Sequence, residues 1–159
     1  MSKLGLLFIK IRYNLSQLAE CTRRLRGVNM STAHAYAATN ETEHQDMEAI
    51  GAEICRLVSE ISIEPAKVVN ALNLLKASML LHFAHEETLM KEANFQNFFH
   101  HRRSHNYILT ELSVFISSFA SGRTDTISEI WPHLKTTLDT HLIRYDEDLE
   151  RFLNRRAES

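Results

Sequence analysis

Residues 65–90 read PAKVVNALNLLKASMLLHFAHEETLM, an apolar helical pattern with two ionisable side chains set into it. The residues that recur at steps of three and four are Val68, Leu72, Leu75, Met79, His82, Glu86 and Met90. This spacing is typical of one face of an α-helix. Pro65 favours a helix start, because proline is tolerated in the first helical turn. The stretch therefore predicts a long helix whose inner face presents a histidine and a glutamate one turn apart.

Three other stretches show the same spacing. After a loop near residues 27–39, Asn40 and Glu43 resemble a capping box that opens a helix. Another helix follows a break near residues 93–97 and ends at Gly122, and the last has Ser128 as its cap and Pro132 in its first turn. The predicted inner faces are His44, Met47, Gly51, Ile54, Val58 and Ile61; His101, His105, Ile108, Leu112, Phe115 and Phe119; and Leu134, Leu138, His141, Tyr145, Leu149 and Phe152.

The predicted fold is all-α, an antiparallel up-down four-helix bundle over residues 31–159 with an additional N-terminal helix in residues 1–30. No stretch alternates with period two, so strands are not expected. Apolar residues step by four and three over residues 3–26, the spacing of a coiled-coil contact face, and Gly27 ends the pattern. Two interpretations stay open for this helix. It packs onto the bundle, or it binds a homodimer mate or a signalling partner.

Composition excludes several classes of protein. The length of 159 residues suits one domain, and the net charge of −2 argues against a nucleic-acid partner. The apolar run of residues 4–9 is far shorter than the ~20 residues of a membrane span, so no membrane insertion is expected. Cys21 and Cys55 form no CxxC pair, which favours reduced thiols and a cytoplasmic location, although one disulfide stays open as an alternative.

Histidine is the unusual residue of this chain. His82 and Glu86 are four apart on one predicted helix, and His101 and His105 are four apart on the next, so each pair projects from one face. Imidazoles and carboxylates on an apolar face are costly unless they are paired or bind metal. Each of the four bundle helices brings histidine inward, which predicts a metal site. Imidazole ligands suit iron, copper, nickel and zinc alike, so ligand type alone does not select the metal.

Residues 82–90 resemble the hemerythrin signature His-Phe-x-x-Glu-Glu-x-x-Met, and residues 101–105 resemble the His-x3-His that follows it. Residues 141–146 resemble the family's His-x4-Asp, and residues 40–47 resemble its first-helix segment. The resemblance covers roughly residues 40–153.

The resemblance implies two iron ions, an oxo or hydroxo bridge between them, and molecular oxygen as the ligand. It assigns one iron to His101, His105 and His141, the other iron to His44 and His82, and the two bridging positions to Glu86 and Asp146. It also implies an apolar oxygen pocket, for which the candidates are Met47, Phe83, Met90, Leu138 and Leu142.

Some residues fit the pattern less directly. His141 and Asp146 are five apart, about 140° around a regular helix. Either they reach opposite flanks of a wide site, or a π-bulge realigns them. Thr137 occupies the position where the family usually has tryptophan, and Tyr145 could add a phenol to the site or only pack. Outside the ligand set, Glu87 is expected to be solvated. The remaining histidines are expected at the surface or at the outer rim of the site; they are His34, His85, His100 and His133.

The function that this resemblance implies is reversible oxygen binding for sensing, storage or delivery, without enzymatic activity. The alternative is a di-iron oxidase, a peroxidase or an enzyme that reacts with nitric oxide at the same site. A third interpretation is a metal-free interaction bundle in which the histidines are incidental.

Overall fold

The computed structural model describes the backbone of residues 30–60, 63–123 and 127–157, and the side chains of residues 39–60, 63–123 and 130–157. Within these ranges the chain is helical apart from short connections, and none of these residues lies in a strand. The helices are α1 (Met30–Val58), α2 (Pro65–Glu92), α3 (Phe98–Ala120), α4 (Ile127–His141) and α5 (Glu147–Ala157), with a π-helical turn over Leu142–Asp146 between the last two. The all-α prediction is confirmed. The predicted helix over residues 3–26 lies outside the described residues.

The first four helices pack each against the next, and the last helix contacts the first. Helix α2 contacts α1 and α3, α3 contacts α4, and α5 contacts α1. The inner faces predicted for α2 and α3 are buried throughout. On α1 the side chain of Ile54 is buried, whereas those of His44, Met47 and Val58 are only half-buried.

Two separate apolar cores lie along the helices. The larger core contains Ile50, Ile54, Leu57, Val68, Leu72, Leu75, Met79, Phe83, Ile108, Leu112, Phe115, Phe119, Trp131 and Leu134. The smaller core contains Leu89, Met90, Ala93, Phe95, Leu149 and Leu153. On α2, the buried residues His82, His85 and Glu86 lie where the larger core ends and before the smaller core begins. Buried His141 and Asp146 likewise lie between Leu134 of the larger core and Leu149 of the smaller core. The ionisable groups therefore form a layer between the cores, not at the end of the molecule.

The connection between α2 and α3 fixes where the third helix presents its histidines. Asn94 has a positive φ of 54°, and its N–H donates to the carbonyl of Lys91. The N–H of Phe95 donates to the carbonyl of Met90 at 2.9 Å, and both side chains belong to the smaller core. This is the Schellman ending of a helix, in which asparagine tolerates the left-handed conformation. The predicted break over residues 93–97 is confirmed, as is the predicted stop at Gly122, which has a φ of 91°.

Two predicted helix starts are wrong. Asn40 and Glu43 lie inside α1, which is already helical at Met30, and the loop predicted near residues 27–39 is helical over its described part. The four alanines of residues 33–38 explain the difference, because alanine has the highest helix propensity and nothing in this stretch breaks a helix. Helix α4 begins at Ile127, so Ser128 is not its cap and Pro132 lies beyond its first turn. The start at Pro65 is confirmed.

Among the described residues, no helix has both the length and the apolar character that crossing a membrane requires.

Candidate metal centre

Six ionisable side chains are almost completely withdrawn from solvent between the two apolar cores. They are His82, Glu86, His101, His105, His141 and Asp146, and none is more than 3% exposed. Removing an isolated charge from water costs far more than a typical apolar contact returns, so such groups are stable only when they pair or bind a cation. Each of these six side chains is therefore expected to have a charged partner or a bound cation.

The ligand atoms of these residues converge on two positions. Glu86, His101, His105, His141 and Asp146 each place one such atom within 4.8 Å of all the others. His44, His82 and Asp146 form a second group by the same measure. The structure thus brings together all seven residues that the sequence predicted as ligands, and this cluster could hold a metal ion.

Asp146 is common to both groups and faces each with a different oxygen. Its Oδ1 lies 3.0 Å from Nε2 of His101 and 3.0 Å from Nε2 of His141. Its Oδ2 lies 3.5 Å from Nε2 of His44. A carboxylate in this position can contact one cation with each oxygen.

Glu86 occupies a similar intermediate position from the opposite helix. Its Oε2 lies 3.1 Å from Nε2 of His105 and 3.3 Å from Nε2 of His101. The same oxygen lies 3.8 Å from Nε2 of His82, which belongs to the second group. Glu86 and Asp146 therefore both lie between a group of three histidines and a group of two.

Several buried atoms of the centre have no hydrogen-bond partner among the described residues. They include Nε2 of His101, Nε2 of His141 and Oδ1 of Asp146. These atoms approach one another to 3.0 Å without the angles of a hydrogen bond, because all three face a common point. Leaving buried polar atoms unpaired costs roughly 1–3 kcal/mol each. A cation at that point would satisfy all of them together, so the donor set fits a metal ion.

The π-helical turn explains how His141 and Asp146 meet. The N–H of Glu147 bonds to the carbonyl of Leu142, five residues back instead of four. One turn therefore takes up an extra residue, and residues five apart come to lie above one another. Of the two explanations that the sequence left open, the structure shows the π-bulge.

Three of the histidines have an outer partner on Nδ1. Nδ1 of His82 lies 2.9 Å from the Glu43 carboxylate, and Nδ1 of His105 lies 3.3 Å from that of Glu87. An ionised carboxylate can only accept, so each Nδ1 must carry the proton and each Nε2 then offers its lone pair to the centre. Nδ1 of His141 lies 2.9 Å from Oγ of Ser104, which can accept in the same way. Such partners orient metal-binding imidazoles and fix their tautomers.

The expectation that Glu87 is solvated is wrong, because its side chain lies against His105 and pairs with Arg102 at 3.2 Å. His85 is buried beside Glu43 at 3.7 Å, so it belongs to the outer rim of the site and not to the surface. His100 and His133 are exposed, whereas the side chain of His34 lies outside the described residues. Apart from their positions close to predicted ligands, nothing in the sequence indicates that Glu43 and Ser104 contact the centre.

The protonation equilibria of the layer reflect its crowding. Burial alone would raise the pKa of Asp146, but contacts with His101, His141 and His44 outweigh burial and hold it below its ordinary value. Burial would lower the pKa of His101, but the carboxylates of Asp146 and Glu86 outweigh burial and raise this pKa to about 9. Burial lowers the pKa of His141. A metal ion and a proton therefore compete for Nε2 of His101, so metal binding there would release a proton.

Aromatic rings enclose the histidines on two sides. Phe83 stacks on His105 with ring centroids 3.9 Å apart and planes 9° apart. Tyr145 stacks on His141 at 5.4 Å and lies 5.5 Å from the ring of His101. Tyr145 therefore lies beside the centre, and Thr137 is a half-buried residue one turn before His141.

No family model, curated protein or solved structure gave a significant match to this chain.

The five residues predicted to form an oxygen pocket pack in different parts of the described structure. Met47, Phe83 and Leu138 pack in or against the larger core, whereas Met90 belongs to the smaller core. Leu142 is 37% exposed and lines a surface cavity together with His44 and Asp146. Of these five residues, Phe83 contacts two candidate ligands: its ring stacks on that of His105 and meets the ring of His141 in a T-shaped arrangement.

Replacing Glu43 with glutamine should weaken metal binding roughly 10- to 100-fold, the usual effect of losing an outer partner. The amide no longer obliges Nδ1 of His82 to be the donor, so the orientation of its Nε2 lone pair is lost. Competition with a chromophoric chelator would measure the change in affinity. Glu53→Gln is the matched control, because Glu53 pairs with Arg56 at the surface. Equal affinities for Glu43→Gln and the wild type would contradict the role assigned to Glu43.

Proposed function

We propose that this chain is a hemerythrin-like non-heme di-iron protein that binds molecular oxygen reversibly. The observation that carries the proposal is the position of Glu86 and Asp146 between one group of three histidines and another of two. Two bridging carboxylates and five imidazoles can fill most of two six-coordinate shells. We also propose that the helices form an antiparallel up-down four-helix bundle.

The order of residues along the helices supports the antiparallel arrangement. On α1 the chain passes His44 before it reaches the larger core, and on α2 it passes four residues of the larger core, Val68 to Met79, before His82. On α3 His101 again precedes the larger core, and on α4 the core residue Leu134 precedes His141. The direction of travel through the layer thus alternates from helix to helix.

The donor set favours iron over a structural zinc ion. Structural zinc sites use four ligands and commonly thiolates, whereas this layer offers only nitrogen and oxygen donors among the described residues. Iron accepts imidazole and carboxylate together in sites with an open position. Bound there, a pair of irons supplies two electrons for reversible oxygen binding.

The asymmetry of the centre indicates which side would receive oxygen. The group of three histidines is enclosed, since His101, His105 and His141 are at most 3% exposed. The two-histidine group includes His44, whose side chain is 19% exposed and lines a surface cavity. A metal ion held there would have fewer protein ligands and a path to solvent. Phe83, stacked on His105, keeps water from the opposite side.

One observation favours an oxidase, a peroxidase or a nitric-oxide-reactive enzyme as the second candidate. The phenol of Tyr145 packs against the rings of two candidate ligands, His101 and His141. A phenol this close can supply an electron and a proton, which reversible carriage does not need. Thr137, a small residue one turn before His141, leaves this side less enclosed than a large aromatic residue would.

Exposing the anaerobic iron(II)-loaded protein to oxygen tests the proposal. We expect a new visible absorption band, in proportion to about one oxygen per two irons, that disappears when oxygen is removed. The exposed-histidine variant His100→Ala should give the same band. Rapid and irreversible oxidation that slows in Tyr145→Phe would favour the enzyme instead. Failure to retain iron at all would contradict both functions.

A further inference from the structure

A cavity of about 210 Å³ opens between α1 and the start of α5 and ends at the candidate metal centre. Its walls include Glu41 and Glu48 from α1, and Glu147 and Glu150 from α5. His44 and Asp146 line it from within the centre. The cavity therefore joins the two-histidine group to the outside.

The lining is strongly negative. Five of the nine described residues that line the cavity are carboxylates, and none is lysine or arginine. Glu48 and Glu150 lie one on each wall, and Lys135, outside the cavity lining, is a cation that interacts with Glu48. Glu147 has a surface contact with Arg151 at 3.5 Å, and Glu41 accepts a hydrogen bond from Gln45. Concave sites lined by one sign of charge raise the local concentration of counter-ions and their association rates.

A buried amide oxygen beside this path points to a cationic ligand. Asn40 is 8% exposed and lines the cavity, and its Oδ1 has no hydrogen-bond partner among the described residues. At the inner end, Oδ2 of Asp146 lies 3.5 Å from Nε2 of His44, and both residues line the cavity. An amide oxygen and a carboxylate oxygen are the hard donors that divalent cations prefer. The surface glutamates alone would be an ordinary solvated patch, but they lead to an unsatisfied amide oxygen and a buried carboxylate at the inner end.

We infer that this cavity is the route by which a divalent cation reaches the metal centre, an inference that rests on the proposed function of that centre. The wall glutamates attract the hydrated ion. Asn40 and Asp146 then replace part of its water, and His44 completes the transfer to the two-histidine group. Each step exchanges a water ligand for a protein ligand, so no electron is transferred.

The rate at which the metal-free protein takes up Co²⁺ tests this inference. Visible absorption of Co²⁺ grows as imidazole and carboxylate replace water, so stopped-flow mixing gives both a rate and a final amplitude. In Glu48→Gln/Glu150→Gln we expect uptake to be roughly three- to tenfold slower at low ionic strength, with an unchanged amplitude. The difference should shrink in high salt, which screens the attraction.

Two matched variants separate the cavity from net charge and from folding. Glu64→Gln/Glu92→Gln removes the same charge from exposed positions on and beside α2 and should load like the wild type. Glu48→Asp/Glu150→Asp keeps the charge and should also load like the wild type. Equal rates for Glu48→Gln/Glu150→Gln and the wild type, or equal slowing in the α2 control, would overturn the route. Absence of any Co²⁺ amplitude in the wild type would instead overturn the metal centre, and the route with it.

Discussion

Replacing Asp146 with asparagine is expected to empty both metal positions, whereas His44→Ala should empty only one. Asp146 is the residue common to the two groups, and its Oδ1 and Oδ2 face different histidines. The amide keeps the shape of the side chain but loses the negative charge that would neutralise both cations. His44 belongs to one group alone. Elemental analysis should give about two ions per chain for the wild type, about one for His44→Ala and fewer than about one for Asp146→Asn.

Asp139→Asn is the control for this comparison. Asp139 lies on α4 seven residues before Asp146, is exposed, and pairs with Lys135 at 2.8 Å. It should retain the wild-type metal content. Full occupancy in Asp146→Asn would refute the bridging arrangement, and so would loss of both ions in His44→Ala.

Replacing His101 with alanine is expected to abolish most of the stabilisation that metal gives the fold. Nε2 of His101 lies 3.0 Å from Asp146 and 3.3 Å from Glu86, so it contacts both intermediate carboxylates. A ligand that binds only the folded state at a thousand times its dissociation constant adds about 4 kcal/mol to the free energy of unfolding. Losing a central ligand should remove most of that gain.

Thermal unfolding with metal and with a chelator isolates this effect. Without metal, His101→Ala should also lose stability, because it leaves a cavity and removes the ring that faces the buried carboxylates of Asp146 and Glu86, so the loss with metal should be the larger of the two. His100→Ala removes the same side chain from the neighbouring exposed position and should respond to metal like the wild type. An equal loss of stability in His101→Ala with and without metal would indicate that the residue only packs.

The parts of this structure that could be predicted from sequence are those governed by regular helix geometry. Helices α2 and α3 have uninterrupted steps of three and four, so their inner faces, including His82 and His105, could be predicted residue by residue. The start of α1 could not, because the local cap signal at Asn40 competes with an alanine-rich stretch before it. Which of the two tendencies prevails depends on packing that the sequence does not display.

The contacts between helices were beyond sequence reasoning. Glu43 is 39 residues from His82, and Ser104 is 37 residues from His141, so no spacing rule connects them. The inward position of Asp146 could not be settled from the spacing for a different reason. Periodicity assumes a constant rotation per residue, which the π-helical turn changes.

That turn also shifts the phase of everything that follows it. Continued from His141 at regular α-helical steps, the inward positions would be Tyr145 and Phe152, yet these side chains are only half-buried. The buried side chains are instead Asp146, Leu149 and Leu153. Asp146 follows Tyr145 by one position, and Leu153 follows Phe152 by one position. If the same residues formed a regular α-helix, Tyr145 and Phe152 would turn inward and the Asp146 carboxylate would rotate out of the interior. The final helix thus forgoes an unbroken hydrophobic register in order to keep an acid where the cations would be.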